Sequence, residues 1–276
     1  MNRKNGFLGV ALTLASLSQA LPGLSQNIEP TWDLSRFRTS LPPENKTMKP
    51  EETEFYTPVP PVVTPGDQNS QPPSDAIVLF DGSNLDQWSS VKDGSPAGWT
   101  VGDGIFTVKP GTGSIQTKQS FEDYQLHIEW RSPAVVKDSG QGRGNSGVFL
   151  ASTGPGDDGY ELQVLDSYQS PTYTNGQAGS IYKQYPPLVN ACRPPGVWQT
   201  YDVIWTAPRF NPDGSLKSPA RLTAIQNGVL IQNNSVLWGT TLYIGHPFYS
   251  SHGPSPLKLQ DHHCLVSYRN IWIRKL

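Results

Sequence analysis

The residues best suited to chemistry lie in the segment 160–167, which reads YELQVLDS. Apolar and polar residues alternate there, so a β-strand would place Glu161 and Gln163 on the same side of a sheet. In a concave cleft, that carboxyl group can act as a general acid or base and the amide can hold a hydroxyl group, while Glu129 and Arg131 from another strand close the site. If the same side faces bulk solvent, the pattern is only a polar outer face.

Two further polar clusters offer other functional groups. The segment 259–263 reads LQDHH, and the segment 144–147 reads GNSG ahead of an apolar run. Asp261 can fix the tautomer of His262 for proton transfer, or His262 can ligate a metal ion together with carboxylates from elsewhere. Adjacent histidines on a strand point to opposite sides, which argues against a metal site that uses both His262 and His263. A hydrogen-bonded structural role is the third possibility.

From Ile77 onward the chain consists of short runs in which apolar and polar residues alternate, and these runs must position the groups named above. Gly, Asn and Pro separate the runs, and none of them has a convincing helical period. The pattern predicts an all-β, antiparallel fold, and about a dozen strands over this length fit a two-sheet jelly-roll sandwich. The predicted strands include 124–131, 160–165, 200–206, 221–226 and 269–274. The predicted turns include 156–159, 212–214 and 227–228.

Three regions are predicted along the chain. Residues 1–26 have the basic start, apolar run and small residues of a cleavable secretory signal. The alternative is a retained transmembrane anchor, although the apolar run is about half the length that spans a bilayer. Residues 27–75 are rich in Pro, Glu, Thr, Ser and Asn and should form an extended, disordered linker. Residues 76–276 should form one β-sandwich domain. The protein is therefore expected to be exported, to the periplasm or out of the cell.

Composition restricts the partners. A formal net charge of -2 and the lack of a basic block argue against nucleic acid and anionic lipid. Eight Trp and eleven Tyr suit the stacking of flat polar ligands such as sugar rings, although most of these aromatic side chains should lie in the core. Cys192 and Cys264 are candidates for a disulfide in an oxidising compartment, but their positions in sequence do not establish the geometry.

An ordered set of short motifs runs through the domain. They are EWR at 129–131, NSG at 145–147, YELQVLDS at 160–167, GVW at 196–198, NG at 227–228, LQDH at 259–262 and YRNIW at 268–272. In this order they resemble the 3-keto-disaccharide hydrolase domain family, from about Ile77 to Leu276. The resemblance implies a concanavalin A-like lectin/glucanase jelly roll in exported bacterial proteins, with activity on glycosides that are oxidised at C3.

A ketone at C3 makes the C2 proton acidic, so a base can remove it while the anomeric substituent leaves, and water then adds back. Such a site needs a base, an electrophile for the enolate oxygen and an acid for the leaving group. For this chemistry we expect Glu161 or His262 to act as the base, and Arg131 or a bound divalent metal ion to face the enolate. The residues expected to contact the saccharide are Glu129, Asn145, Gln163, Asp166, Gln260 and Asp261.

One position departs from the family pattern, because members usually carry Gly after the QDH run and this chain carries His263. The added side chain would narrow the cleft, add a titrating group or lie on the outer face.

Two other functions fit the sequence. A retaining β-glucanase would place two carboxylates about 5 to 5.5 Å apart, but Glu161 and Asp166 are an odd number of residues apart and a regular strand would put them on opposite faces. A non-catalytic carbohydrate-binding module would suit the proline-rich linker and the aromatic content equally well.

Overall fold

The structure is a computed structural model that describes residue 40 and residues 47–276. The predicted signal, residues 1–26, and the first part of the predicted linker lie outside the described residues. Contacts divide the chain into two units, Met1–Met48 and Lys49–Leu276, and the fold below is that of the second unit. No helix in the described part of the chain is long and apolar enough to cross a membrane.

The second unit is built almost entirely of strands, which confirms the predicted all-β class. Its helical pieces within the described residues are three short 3-10 turns, Pro50–Thr53, Gly140–Gly142 and Thr174–Gly176. Its fifteen strands are β1 (Ile77–Phe80), β2 (Trp88–Ser90), β3 (Thr100–Gly102), β4 (Ile105–Thr107), β5 (Ile115–Phe121), β6 (Tyr124–Arg131), β7 (Ser146–Ser152), β8 (Gly159–Val164), β9 (Gln199–Thr206), β10 (Arg209–Phe210), β11 (Leu216–Ser218), β12 (Arg221–Gln226), β13 (Val229–Val236), β14 (Ser255–Leu259) and β15 (Ser267–Lys275).

The strands form two large antiparallel sheets and one small hairpin. The eight-stranded sheet has the order β13-β12-β9-β6-β15-β4-β3, with β1 paired to β15. The five-stranded sheet has the order β2-β5-β14-β7-β8, and β10 pairs with β11. This is the predicted two-sheet jelly-roll sandwich, with a few more strands than the sequence indicated.

Alternation along each strand separates the core from the outer faces. In β6, the even-numbered residues from Tyr124 to Trp130 are at most 1% exposed and belong to the core. In β8, Tyr160, Leu162 and Val164 belong to the same core. Glu129 of the eight-stranded sheet and Glu161 of the five-stranded sheet therefore point away from the core on opposite sides of the sandwich.

The chain at the predicted linker–domain junction is bonded to the last strand. The carbonyl oxygen of Ser70 accepts hydrogen bonds from Asn270 Nδ2 at 2.9 Å and from Trp272 Nε1 at 3.0 Å. Asp75 forms an ion pair with Arg274 at 2.6 Å. Residues before position 76 thus contact β15, while the predicted boundary itself stays a prediction.

The cysteines do not pair. Cys192 and Cys264 are both free thiols in the structure. The Cys192 thiol instead accepts a hydrogen bond from Gln226 Nε2 at 3.4 Å.

Candidate functional site

Two rows of side chains cross the outer face of the five-stranded sheet, over the strands β8, β7 and β14. Strand pairing sets each row, because residues opposite one another on neighbouring strands share a face. The first row is Glu161, Phe149 and Lys258. The second row is Gln163, Gly147 and Gln260, with the Gln260 amide donating to the Gly147 carbonyl at 3.0 Å. The sequence-predicted residues Glu161, Gln163 and Gln260 therefore lie together on one face.

Glu161 is the most deeply buried carboxyl group of this face, at 4% exposure. Its carboxyl group leans over Gly147, where a Cβ atom would lie only 3.0 Å from Glu161 Cδ and 3.0 Å from a ring carbon of Phe149. The NSG motif thus provides a position without a side chain beneath the carboxylate.

Two buried polar atoms of this face have no hydrogen-bond partner in the described part of the chain, the side-chain oxygens of Gln163 and Gln260. The nearby carboxyl group of Glu161 also forms no hydrogen bond within the described residues. Buried polar groups in folded proteins are nearly always paired, so each exception needs an explanation. A ligand with several hydroxyl groups would supply the missing partners.

Burial gives Glu161 a pKa above its ordinary value, and the neighbouring charges modify it. Burial raises the pKa of Glu161 well above its ordinary value of 4.5, Asp157 raises it further, and the ammonium of Lys258 acts in the opposite direction. Burial lowers the pKa of Lys258 to about 8, against the influence of Asp157, Asp158 and Glu161. A raised pKa makes the ionised Glu161 a stronger base and its protonated form available as an acid, which suits a proton-transfer group.

Lys258 also holds the loop beside the site. It is fully buried, and its Nζ donates to the carbonyls of Gly156 at 2.7 Å and Asp158 at 2.8 Å. Its ammonium lies 4.2 Å from the ring centroid of Phe149. Asp157 of the same loop accepts a hydrogen bond from Gln260 Nε2 at 2.8 Å, which fixes the amide with its oxygen unpaired.

Asn145 lies at the edge of this group. Its Oδ1 accepts a hydrogen bond from Gln163 Nε2 at 3.2 Å, and its Nδ2 donates to the Gln141 carbonyl at 2.7 Å. These bonds orient the Gln163 amide, so Asn145 joins the predicted site through Gln163.

Glu129 and Arg131 are not part of this face, and the expectation that they close the site around Glu161 is wrong. Glu129 accepts hydrogen bonds from Arg269 at 2.6 Å and Asn270 at 2.9 Å on the outer face of the other sheet. Arg131 lies 4.7 Å from the ring of Trp198. The alternation of β6 sends both side chains away from the core on the far side of the sandwich, so Arg131 is not placed to face an enolate in this site.

A histidine shares that far face. Burial alone would lower the pKa of His127, but the carboxylate of Asp202, hydrogen-bonded to Nδ1 at 2.7 Å, and that of Glu129, 3.6 Å from Nε2, raise it to about 9. Burial alone would raise the pKa of Glu129, but the nearby His127 ring and the hydrogen bonds from Asn270 and Arg269 lower it to about 2. The group is a paired, charged network on the eight-stranded sheet.

Asp166 and Asp261 have structural contacts rather than free carboxylates. Asp166 is 4% exposed, and it accepts hydrogen bonds from Arg143 Nε at 2.7 Å and from the Tyr168 amide at 3.2 Å. The geometry therefore does not support the prediction that Asp166 contacts the saccharide. Asp261 accepts from the amides of Gly111 at 2.8 Å, Gly113 at 3.0 Å and His263 at 3.0 Å.

The expected Asp261–His262 pair is not formed, since both oxygens of Asp261 bind backbone amides. His262 is exposed and has no hydrogen-bond partner among the described residues. His263 is also exposed and has a φ of 62°, the left-handed conformation that glycine adopts without steric cost. Within residues 40 and 47–276, no group of three or more His, Cys, Asp or Glu side chains is arranged to hold a metal ion.

Sequence reasoning missed Lys258 and the role of Gly147. The signal for Lys258 was present, because in the segment 255–259 the apolar Leu257 and Leu259 predict that Lys258 points to the opposite face.

Comparison with known proteins agrees with this fold. Residues 75–274 match the family described as the 3-keto-alpha-glucoside-1,2-lyase-like domain. A crystal structure of a candidate glycosyl hydrolase from Parabacteroides distasonis is 52% identical, with a TM-score of 0.77 over 83% of this chain and 97% of that one. A second such protein from the same bacterium is 21% identical, with a TM-score of 0.53 over 73% of this chain and 94% of that one, and shows the fold alone. No curated protein is similar enough to match.

The family match and the 52%-identical candidate glycosyl hydrolase define the class as a carbohydrate-active hydrolase. The chain belongs to the 3-keto-disaccharide hydrolase domain family, whose match spans most of its length.

Proposed function

We propose that the domain cleaves glycosides carrying a ketone at C3, by elimination followed by hydration, on the face around Glu161. The observation that carries the proposal is a carboxyl group 4% exposed, without a hydrogen-bond partner among the described residues, beside two unpaired amide oxygens. That arrangement suits a proton-transfer group surrounded by acceptors for sugar hydroxyls.

The first step of the proposed reaction is an elimination. Glu161 in its carboxylate form takes the proton from C2, and the C–H electron pair forms the C1=C2 double bond through the enolate. The bond between C1 and the glycosidic oxygen breaks, and that oxygen takes a proton to leave as an alcohol. The product is an unsaturated 3-keto sugar.

Hydration completes the net hydrolysis. Water adds its hydroxyl group to C1, its remaining proton returns to the acid that protonated the leaving oxygen, and C2 regains a proton from the Glu161 carboxyl group. We assign Gln163 and Gln260 to bind sugar hydroxyls through their unpaired oxygens. We assign His262, which follows the Gln260 position by two residues and is exposed, to proton delivery at the leaving oxygen.

The direct test uses a 3-keto-glucoside with a chromogenic leaving group and its unoxidised parent, each with and without chelator. We expect release from the keto substrate and loss of that release in Glu161→Gln. Glu122→Gln is the matched control, because Glu122 has a 50% exposed side chain and contacts Arg209 on the surface. Unchanged turnover in Glu161→Gln would remove Glu161 from the mechanism, and the chelator shows whether a divalent metal ion takes part.

The rival functions have distinct outcomes in the same test. Release from the unoxidised parent would identify a classical glycosidase, although Asp166, the second carboxylate considered for it, is held by Arg143. Saturable binding without turnover would identify a non-catalytic carbohydrate-binding module.

We also propose that the protein is exported, on the strength of the signal-like residues 1–26. Expression of the full chain in a bacterial host, followed by fractionation and N-terminal sequencing, tests this. A mature protein in the periplasm or medium that lacks the apolar segment is the expected result, and an uncleaved cytoplasmic chain would contradict it.

A further inference from the structure

The edge strand β8 is covered by two segments that bond to the backbone of Glu161 itself. The Tyr182 amide donates to the Glu161 carbonyl at 3.2 Å, and the Glu161 amide donates to Thr241 Oγ1 at 3.0 Å. The Thr241 amide donates to the Gly159 carbonyl at 2.7 Å. The segments that carry Tyr182 and Tyr243 are therefore fixed directly beside the catalytic candidate.

Three tyrosines from these segments and the preceding loop form what we call the tyrosine rim: Tyr173, Tyr182 and Tyr243. The hydroxyls of Tyr173 and Tyr182 are 2.6 Å apart, and their ring centroids are 6.3 Å apart. The Tyr173 ring lies over Gly176, where a Cβ atom would be 2.8 Å from Cζ of the ring. The position without a side chain thus lets the ring lie flat against the loop.

The rim lies within the electrostatic reach of Glu161. Burial, then the Tyr173 hydroxyl and then the charge of Glu161 raise the pKa of Tyr182. Burial raises the pKa of Tyr173, the hydrogen bond to Tyr182 lowers it, and Tyr243 and Glu161 raise it. Tyr173 is 38% exposed and Tyr243 is 71% exposed, so ring surface is free next to the buried carboxyl group.

Lys183 contacts two of the three rings of the tyrosine rim. Its Nζ lies 4.5 Å from the ring centroid of Tyr173 and 5.2 Å from that of Tyr243. It has no carboxylate partner among the described residues. Its φ is 63°, a left-handed conformation that disfavours any side chain, and residues held this way cluster at functional sites. A cation between two rings attracts both through their faces, so Lys183 fixes the separation of Tyr173 and Tyr243.

Building on the proposed function, we propose that the tyrosine rim, positioned by Lys183, is the subsite for the leaving group and selects glycosides whose leaving group is itself a ring. Sugar rings present C–H faces that pack on aromatic planes and hydroxyls that bond to phenol groups. A small alkyl leaving group is too small to cover the exposed rings of the tyrosine rim. Tyr173 and Tyr243 are thus specificity-determining residues, and Lys183 is a positioning residue.

The test compares two keto substrates whose leaving groups are both alcohols, a methyl 3-keto-glucoside and a 3-keto-disaccharide. The quantity measured is the ratio of kcat/KM for the disaccharide to kcat/KM for the methyl glycoside. We expect Tyr243→Ala to lower this ratio about tenfold, the worth of one aromatic contact, mainly through KM. We expect Lys183→Met to lower it in the same direction by a smaller factor.

Controls separate specificity from folding. Tyr56→Ala replaces another exposed tyrosine, 79% exposed and bonded to Glu54, and should leave the ratio as in the wild type. Lys183→Gly removes the ammonium that contacts the Tyr173 and Tyr243 rings, and Gly also adopts the left-handed backbone conformation without steric cost. This variant should therefore lower the kcat/KM ratio without lowering the melting temperature. An unchanged ratio in both Tyr173→Ala and Tyr243→Ala would overturn the proposal.

A binding experiment distinguishes failure of the rim from failure of the proposed reaction. Calorimetry of the wild type and of Tyr243→Ala with the unoxidised disaccharide measures binding and needs no turnover. If the wild type cleaves neither keto substrate but Tyr243→Ala weakens disaccharide binding, the proposed reaction fails and the rim stands. If wild type and Tyr243→Ala bind the disaccharide equally and show the same kinetic ratio, or neither binds, the rim assignment is wrong.

Discussion

The carboxyl group of Glu161 occupies the space above Gly147 that a side chain on residue 147 would need, with Glu161 Cδ 3.0 Å from the position of a Cβ atom there. Two features of the sequence that are fourteen residues apart, the Glu of YELQ and the Gly of NSG, are therefore one structural unit. Strand pairing brings them together, because Gly147 is opposite Gln163 and Phe149 is opposite Glu161.

Gly147→Ala should therefore displace the Glu161 carboxylate and lower kcat at least about a hundredfold, as misplacing a catalytic group by about 1 Å does. The matched control is Gly102→Ala, a strand glycine where a Cβ atom would meet nothing within 4 Å. Steady-state kinetics on the keto substrate, with circular dichroism to verify folding, measure the effect. Wild-type kcat in Gly147→Ala would show that the position of Glu161 over Gly147 is not needed.

Much of the fold could be predicted from the sequence, because the alternation of apolar and polar residues along a strand indicates which side chains are buried. The predicted strands 124–131 and 221–226 match β6 and β12 residue for residue. The predicted turn at Asn227 and Gly228 has φ values of 54° and 84°, as a tight hairpin turn with both residues left-handed requires.

The site was only partly predictable, because alternation gives a face but not which sheet that face belongs to. Glu129 and Glu161 follow the same strand pattern, yet they lie on opposite sides of the sandwich. Asp261 illustrates a second reason. Its carboxylate is taken by the amides of Gly111 and Gly113, about 150 residues earlier, which no local pattern reveals.

Glu161→Gln should stabilise the fold, and the gain should grow with pH. In the unfolded chain Glu161 ionises near its ordinary pKa of 4.5, whereas burial raises its pKa in the folded state. Between these two values the folded state binds more protons, so wild-type stability falls as pH rises. Neutral Gln removes this slope. Chemical denaturation from pH 4 to 9 tests it, and parallel curves for the two proteins would contradict the raised pKa.

Lys258→Met should loosen the loop 154–159 with little change in overall stability. The loop loses two hydrogen bonds from the ammonium, but the interior also loses a buried charge, and the two effects offset to within about 1 kcal/mol. Hydrogen–deuterium exchange should become faster in the loop. The exposed Lys118 of β5 provides the control Lys118→Met, which should exchange like the wild type. Equal protection in Lys258→Met would mean that other contacts hold the loop.

His263→Gly should raise stability by up to about 1 kcal/mol, because Gly adopts the left-handed conformation without the cost that a side chain incurs there. His262→Gly, at a neighbouring position that is not left-handed, should instead be neutral or destabilising. Thermal melts of the three proteins measure this. A lower melting temperature for His263→Gly would show that its side chain makes a stabilising contact.

Shortening the N-terminus should locate the true start of the folded domain. A chain beginning at Ala76 lacks Ser70, so the Trp272 indole loses its acceptor, Asn270 loses one of its two acceptors and keeps Glu129, and Arg274 loses Asp75. A lost hydrogen bond costs about 1 kcal/mol, and the exposed ion pair adds at most about as much. A chain beginning at Val63 keeps all of these contacts and should melt like the longer protein. Equal melting temperatures for the two shortened chains would place the boundary at residue 76, as the sequence alone predicts.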